Sequence, residues 1–160
     1  MTQLQINLFE RYYFELIKWN ARINLTSVTS WINVQTKHFL DSLTVSLAIP
    51  EIMLESGRFV DIGTGGGFPG MPLKIVFPKL NATLIDSTAK KTAFLKTLND
   101  TLQTSDVNVL TGRSEIFAHE TELRENFAEN RDREHGKNFH ENLSKFASNE
   151  SHCTNGVRQI

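Results

Sequence analysis

Val60-Asp61-Ile62-Gly63-Thr64-Gly65-Gly66-Gly67-Phe68-Pro69-Gly70 is the stretch from which the fold of this chain is read. Arg58-Phe59-Val60-Asp61-Ile62 is an apolar run of strand length; it enters a glycine cluster, and a helical pattern follows from Pro69 to Phe77. Strand, glycine turn and helix N-terminus in succession form the backbone arrangement that holds nucleotide-like cofactors. Glycines lack Cβ, so the chain can turn sharply there and approach a ligand closely. Dinucleotide folds space them as G-x-G-x-x-G and rest a pyrophosphate on the helix N-terminus. Here the pattern is Asp61-x-Gly63-x-Gly65-x-Gly67, with a carboxylate two residues before the first glycine. A carboxylate at that place repels a pyrophosphate. It suits a cofactor with positive charge, such as the ammonium and sulfonium of S-adenosylmethionine. A P-loop is excluded: Gly65 to Gly70 has the glycine spacing, but Met71-Pro72 follows where Lys-Ser/Thr is required.

The next strand gives a second signal. Asn81-Ala82-Thr83-Leu84-Ile85-Asp86 ends in an acid 19 residues after Gly67, near the offset of about 20 at which an acid reaches ribose hydroxyls. Pro69 is suited to open the intervening helix. The competing reading is a tight strand–helix turn with Asp86 as a helix N-cap.

Outward from this centre the pattern alternates: strand 58–62, helix 69–77, strand 82–86, helix 89–102, strand 106–110. Such alternation predicts right-handed βαβ units and a parallel sheet, an α/β fold. Pro78 stops the first crossover helix, and Asp106 is expected to open the third strand. Upstream, residues 3–20 read as an amphipathic helix with Phe9, Tyr12, Tyr13, Leu16 and Ile17 on one broad face. A second helix is expected from about Trp31 to Leu40, and a third from Ser42 to Ala48, capped by Asp41 and ended by Pro50. After Phe127 the character changes. Ala128 to Gly136 is nearly all polar, and Phe139, Leu143 and Phe146 allow one short helix in a weakly structured tail. The expected organisation is residues 1–127 as a helical N-terminal cap plus a cofactor-binding α/β half-domain, with 128–160 as a polar tail.

With 160 residues the chain suits one domain. Its net charge of −1 gives no bulk attraction for nucleic acid, so a basic surface would be local. Cys153 is the only cysteine, which excludes an intramolecular disulfide and a cysteine-based zinc site. No apolar run reaches the length of a membrane span. The start, Met1-Thr2-Gln3-Leu4, lacks a signal-peptide pattern. The expected setting is the cytoplasm, with no membrane and no metal.

Further motifs occur in a fixed order: Asn24-Leu25-Thr26-Ser27-Val28; Lys37-His38-Phe39-Leu40-Asp41-Ser42-Leu43; Val60 to Leu73; Leu84-Ile85-Asp86-Ser87 with Lys90-Lys91 and Phe94-Leu95; and Gly112-Arg113-Ser114-Glu115. Together they resemble the bacterial 16S ribosomal RNA guanine-N7 methyltransferase family (RsmG, formerly GidB) over residues 5–127. The resemblance implies a class I methyltransferase fold, Rossmann-like with a parallel sheet and N-terminal helices. It implies an S-adenosylmethionine-dependent enzyme that acts on 16S ribosomal RNA in the small subunit, at N7 of a guanine near the decoding site. It places Gly63 and Phe68 in the cofactor pocket and Ser114-Glu115 near the adenine, with residues 24–28 and 38–42 folding over the site. Asp61, Gly65, Gly67 and Asp86 complete the expected cofactor-binding set.

The chain departs from the family pattern after Glu115, where no Ser-Arg-Ala motif appears. The second half of the sheet is therefore expected to be missing, as in a truncated or divergent member. The strand at 58–62 would then present an apolar edge, a template for self-association. Guanine N7 carries a free lone pair at neutral pH, so no general base is required and no catalytic residue is assigned. His38 reads as a hydrogen-bonded structural histidine beside Asp41 rather than a catalytic one. Arg113, Lys90 and Lys91 are candidates for RNA phosphates, with a solvated helix face as the equal reading of the two lysines. Three functions stay open: an rRNA methyltransferase, an inactive truncated member that at most binds the cofactor, and a small-molecule methyltransferase.

Overall fold

A computed structural model gives the structure of the chain, with residues 1–49, 57–114 and 117 described. Met1–Ser114 forms one compact unit. The tail, the boundary near Phe127, and the expected absence of further strands lie outside the described residues.

Helix α1 (Gln3–Ile23) begins at a capping box: the Thr2 hydroxyl accepts from the Gln5 amide while the Gln5 side chain accepts from the Thr2 amide. It runs three residues past the expected end and stops where Asn24 turns left-handed, φ 50°. Phe9, Tyr12 and Leu16 face the core, as their spacing predicts.

The next helical segment differs from its sequence reading. Trp31–Val34 (α2), a wider π-helical turn at Gln35–Leu40, Asp41–Thr44 (α3) and a tight 3-10 turn at Val45–Ala48 run on without a break. Asp41 is not a cap: Leu40 and Asp41 both keep right-handed helical dihedrals. No glycine or proline interrupts 31–48, so nothing forces the backbone out of the helix there. The cap is Ser30, whose hydroxyl accepts from the Asn33 amide. Ile49, just before Pro50, is extended (φ −105°, ψ 130°), as a residue preceding proline must be.

The α/β part follows the predicted alternation: β1 (Arg58–Ile62), α4 (Gly70–Val76), β2 (Asn81–Asp86), α5 (Ala89–Leu102) and β3 (Val107–Thr111). All pairings are parallel in the order β1-β2-β3, so β2 is central among the described residues. Parallel strands joined by helices, with N-terminal helices packed on them, agree with the Rossmann-like class I methyltransferase fold. One detail shifts. Asp106 does not open β3; it is left-handed (φ 54°), and the ladder starts at Val107, opposite Ala82.

α1 lies across the helical layer. Phe9, Tyr12 and Leu16 join Met71 and Ile75 of α4, Leu84 of β2, and Phe94, Leu95, Leu98 and Leu102 of α5 in one apolar core. Gln5 Nε2 donates to the last carbonyls of α4, Ile75 (3.2 Å) and Val76 (3.0 Å), and Arg11 donates to the Thr101 carbonyl near the end of α5. The N-terminal helix is thus built into the α/β layer. Ile62 with Ile85, and Asp86 with Thr111, stand in register, so the C-terminal strand ends and the glycine turn gather at one edge.

Candidate functional site

In a parallel α/β sheet, ligands sit in the crevice beyond the C-terminal strand ends. At that edge the turn from Gly63 to Gly67 is fixed by its own backbone. The amides of Gly63 (2.8 Å) and Thr64 (3.1 Å) donate to the Ile85 carbonyl at the end of β2. Those of Gly67 (2.8 Å) and Phe68 (3.1 Å) donate to the Thr64 carbonyl. Gly63, Gly65 and Gly67 all have positive φ (73°, 56° and 92°), a conformation costly for any residue with a Cβ.

The glycines divide between two faces. A Cβ added to Gly63 would meet nothing within 4 Å, and one on Gly65 would meet only the Gly63 carbonyl oxygen at 3.8 Å. That face is an open backbone cradle. On the other face, a Cβ on Gly67 would lie 2.6 Å from the Tyr12 hydroxyl, and one on Gly70 would lie 2.4 Å from Leu84. Gly67 and Gly70 are packed against protein, while the Gly63 and Gly65 positions are open.

Two carboxylates flank the turn. Asp61 is only 8% exposed. Its Oδ2 accepts from Thr64 Oγ1 (2.7 Å) and from the Gly70 amide (2.9 Å), tying β1 to the turn and to the first residue of α4. Burial raises its pKa above the ordinary value; the two hydrogen bonds oppose the rise, and the charge of Asp86 adds to it. The Asp61 carboxylate is therefore turned inward, bridging β1 to the turn.

Asp86 is also buried, at 5% exposure. Its Oδ2 accepts from the Gly65 amide (3.0 Å) and its Oδ1 from the Thr88 amide (2.8 Å). Lys91 Nζ stands 3.6 Å from Oδ2. The N-cap position of α5 belongs to Thr88, two residues on from Asp86. The predicted acid and the predicted glycine turn are thus joined by a direct bond.

The helical layer reaches the same turn. The Phe68 ring stacks on Tyr12 (5.4 Å between centroids, 6° between planes) and on His38 (4.5 Å, 17°). Tyr12 Oη donates to the Gly66 carbonyl at 2.5 Å. His38 Nε2 lies 2.7 Å from Thr26 Oγ1, which also accepts from the Val28 amide. Burial lowers the His38 pKa, against a hydrogen bond to the Lys37 backbone and the nearby Asp41 charge. At neutral pH the imidazole is therefore neutral. It is hydrogen-bonded, as its sequence reading expected, although its partner is Thr26.

Arg113 and Lys90 are exposed, Lys91 leans on Asp86, and Ser114 is half-buried just beyond β3. Glu115 lies outside the described residues. Sequence reasoning did not single out Thr64 or the Tyr12 hydroxyl. Thr64 carried a weak signal, a hydroxyl three residues after an acid in a turn. Tyr12 carried none beyond its place on an apolar helix face.

Among the described residues no group of three or more His, Cys, Asp or Glu could hold a metal, and no helix is long and apolar enough to cross a membrane. The open cradle at Gly63 and Gly65, beside an acid at the neighbouring strand end, fits a nucleoside-bearing cofactor with a hydroxylated ribose.

The chain is similar to known proteins along most of its length. The profile of a family described as rRNA small subunit methyltransferase G matches residues 5–128. A protein of Roseiflexus castenholzii named ribosomal RNA small subunit methyltransferase G is 44% identical over 127 residues, 79% of this chain and 53% of that protein. Its namesake in Syntrophus aciditrophicus is 48% identical over 116 residues, 72% of this chain and 47% of that protein. The one in Leuconostoc citreum is 40% identical over 127 residues, again 79% and 53%. The chain spans about half the length of the curated relatives it matches.

Proposed function

Because this chain belongs to the rRNA small subunit methyltransferase G family, we propose that residues 1–127 carry the S-adenosylmethionine-binding part of an enzyme that methylates small-subunit ribosomal RNA. The observation that carries this reading is the bond between the Gly65 amide and Asp86 Oδ2 (3.0 Å) beside the open face of Gly63 and Gly65. In it, the cradle accepts the cofactor backbone and Asp86 takes the ribose hydroxyls. Oδ1 holds one backbone donor and has a lone pair for a second, while Oδ2 holds the Gly65 amide with Lys91 Nζ 3.6 Å away. Phe68, Ser114 and Glu115 belong to the same proposed pocket.

When bound, the cofactor supplies an electrophilic methyl group on a sulfonium. The chain's own work is to orient it, exclude water and tolerate a positive charge moving toward the base. For a guanine N7 acceptor no side chain has to remove a proton, in keeping with a neutral His38 engaged by Thr26. Arg113 and Lys90, both exposed, are the proposed phosphate contacts, and the small ribosomal subunit the proposed partner. Edge-to-edge association through β1 is a further proposal, motivated by its half-exposed apolar residues.

Calorimetric titration with S-adenosylmethionine tests the cofactor reading. The parent is expected to bind, and Asp86→Ala to bind about 1.5–3 kcal/mol more weakly, the value of a hydrogen bond to a charged group. Equal affinity would remove Asp86 from the site. Transfer of labelled methyl to small-subunit RNA, mapped to its position, tests the substrate; label appearing only on small molecules would favour the other methyltransferase reading.

A further inference from the structure

One polar group of α1 crosses the core to reach the glycine turn. Tyr12 is 0% exposed, and its hydroxyl donates to the Gly66 carbonyl at 2.5 Å across 54 residues of sequence. The fit is close, since a Cβ on Gly67 would lie 2.6 Å from that oxygen. The same peptide unit is held at its other end, where the Gly67 amide donates to the Thr64 carbonyl at 2.8 Å. Both polar atoms of the Gly66–Gly67 peptide are therefore committed, and its plane cannot rotate without losing a buried hydrogen bond. The Tyr12 ring, nearly parallel to Phe68, holds the next residue of the turn as well. Burial and the Asp61 charge push the Tyr12 pKa well above its ordinary value, so the hydroxyl keeps its proton at physiological pH.

The turn thus has three anchors. Asp61 holds it from β1, Asp86 from β2, and Tyr12 from a helix outside the sheet. We propose that Tyr12 is a positioning residue for the cofactor: its bond to the Gly66 carbonyl sets the turn in the shape that keeps the Gly63–Gly65 face open, making α1 part of the binding machinery. This rests on the reading of that turn as the S-adenosylmethionine site. If Tyr12 were merely a core side chain with a satisfied hydroxyl, removing the hydroxyl would lower global stability and leave the turn's ligand affinity alone.

Tyr12→Phe keeps the ring and removes the bond. S-adenosylmethionine affinity is expected to fall about tenfold, as it would if the freed turn kept its open-faced shape only about a tenth of the time. Amide resonances of Gly65 to Phe68 are expected to shift while those of β3 stay in place. Leu102→Ala, a core truncation at the opposite end of α5 from Asp86, serves as the stability control and is expected to bind like the parent. Tyr12→Phe binding as tightly as the parent, or Leu102→Ala losing as much affinity, overturns the inference and leaves the cofactor reading standing. A parent that binds no S-adenosylmethionine overturns both.

Discussion

At the scale of single residues, the two strand-end acids are of one type and sit in different surroundings. Asp86 is met by two backbone amides and a lysine, while Asp61 pays desolvation with a single oxygen serving Thr64 and Gly70. Its pKa is raised above 3.8, chiefly by burial. A raised acid binds more protons in the folded than in the unfolded state, so stability falls as pH rises from the unfolded pKa through the folded one. Its contribution is therefore most favourable in acid and smallest at neutral pH. Asp61→Asn keeps an acceptor for Thr64 and Gly70 but cannot ionise. Urea midpoints measured between about pH 4 and 6 should fall less steeply with rising pH for Asp61→Asn than for the parent. Parallel curves would mean that Asp61 does not titrate differently on folding.

At the scale of elements, α4 shows how a short helix is held at both ends. Its N-terminus is tied by the Gly70 amide to Asp61. Its C-terminal turn is closed by Lys74, 1% exposed, whose ammonium donates to the carbonyls of Pro78 (2.7 Å) and Leu80 (2.5 Å). Burial lowers the Lys74 pKa, with the Asp106 charge opposing. The cation is tolerated because two carbonyls replace its water. Lys74→Met fills similar volume and strands both carbonyls. It should cost about 1–3 kcal/mol in urea denaturation, whereas Lys79→Met, on the exposed turn nearby, should stay within about 0.5 kcal/mol of the parent. Equal effects would show that the Lys74 bonds contribute nothing net.

At the scale of the whole molecule, α1 packs on α4 and α5 while its tyrosine holds the turn between β1 and α4. A ligand at that turn should therefore stabilise the unit as a whole, not just one loop. At a cofactor concentration of about 100 times Kd the gain is about 2.7 kcal/mol, which for a domain of this size raises Tm by roughly 5–10 °C. Differential scanning calorimetry with and without S-adenosylmethionine measures it. A shift confined to a minor early transition would mean that the helical layer and the sheet unfold separately.

The sequence by itself determined the alternation of strands and helices, the parallel sheet, and the pairing of a glycine turn with an acid at the next strand end. These are local properties: period, strand length, φ preferences and a spacing along a βαβ unit, each fixed within a few tens of residues. It misread Asp41 as a cap, because an acid before a serine is a cap only where the backbone leaves the helix, and here it does not. Only the tertiary structure decided which glycines face open space and which face protein, since Gly63 and Gly67 both have positive φ and differ in what packs on them. It alone separated the roles of Asp61 and Asp86, found Lys74 its carbonyls, and brought Tyr12 to Gly66. A hydroxyl on an apolar helix face carries no mark of its partner. That partner is set when two elements far apart in the chain close on one core and each buried polar group must find another.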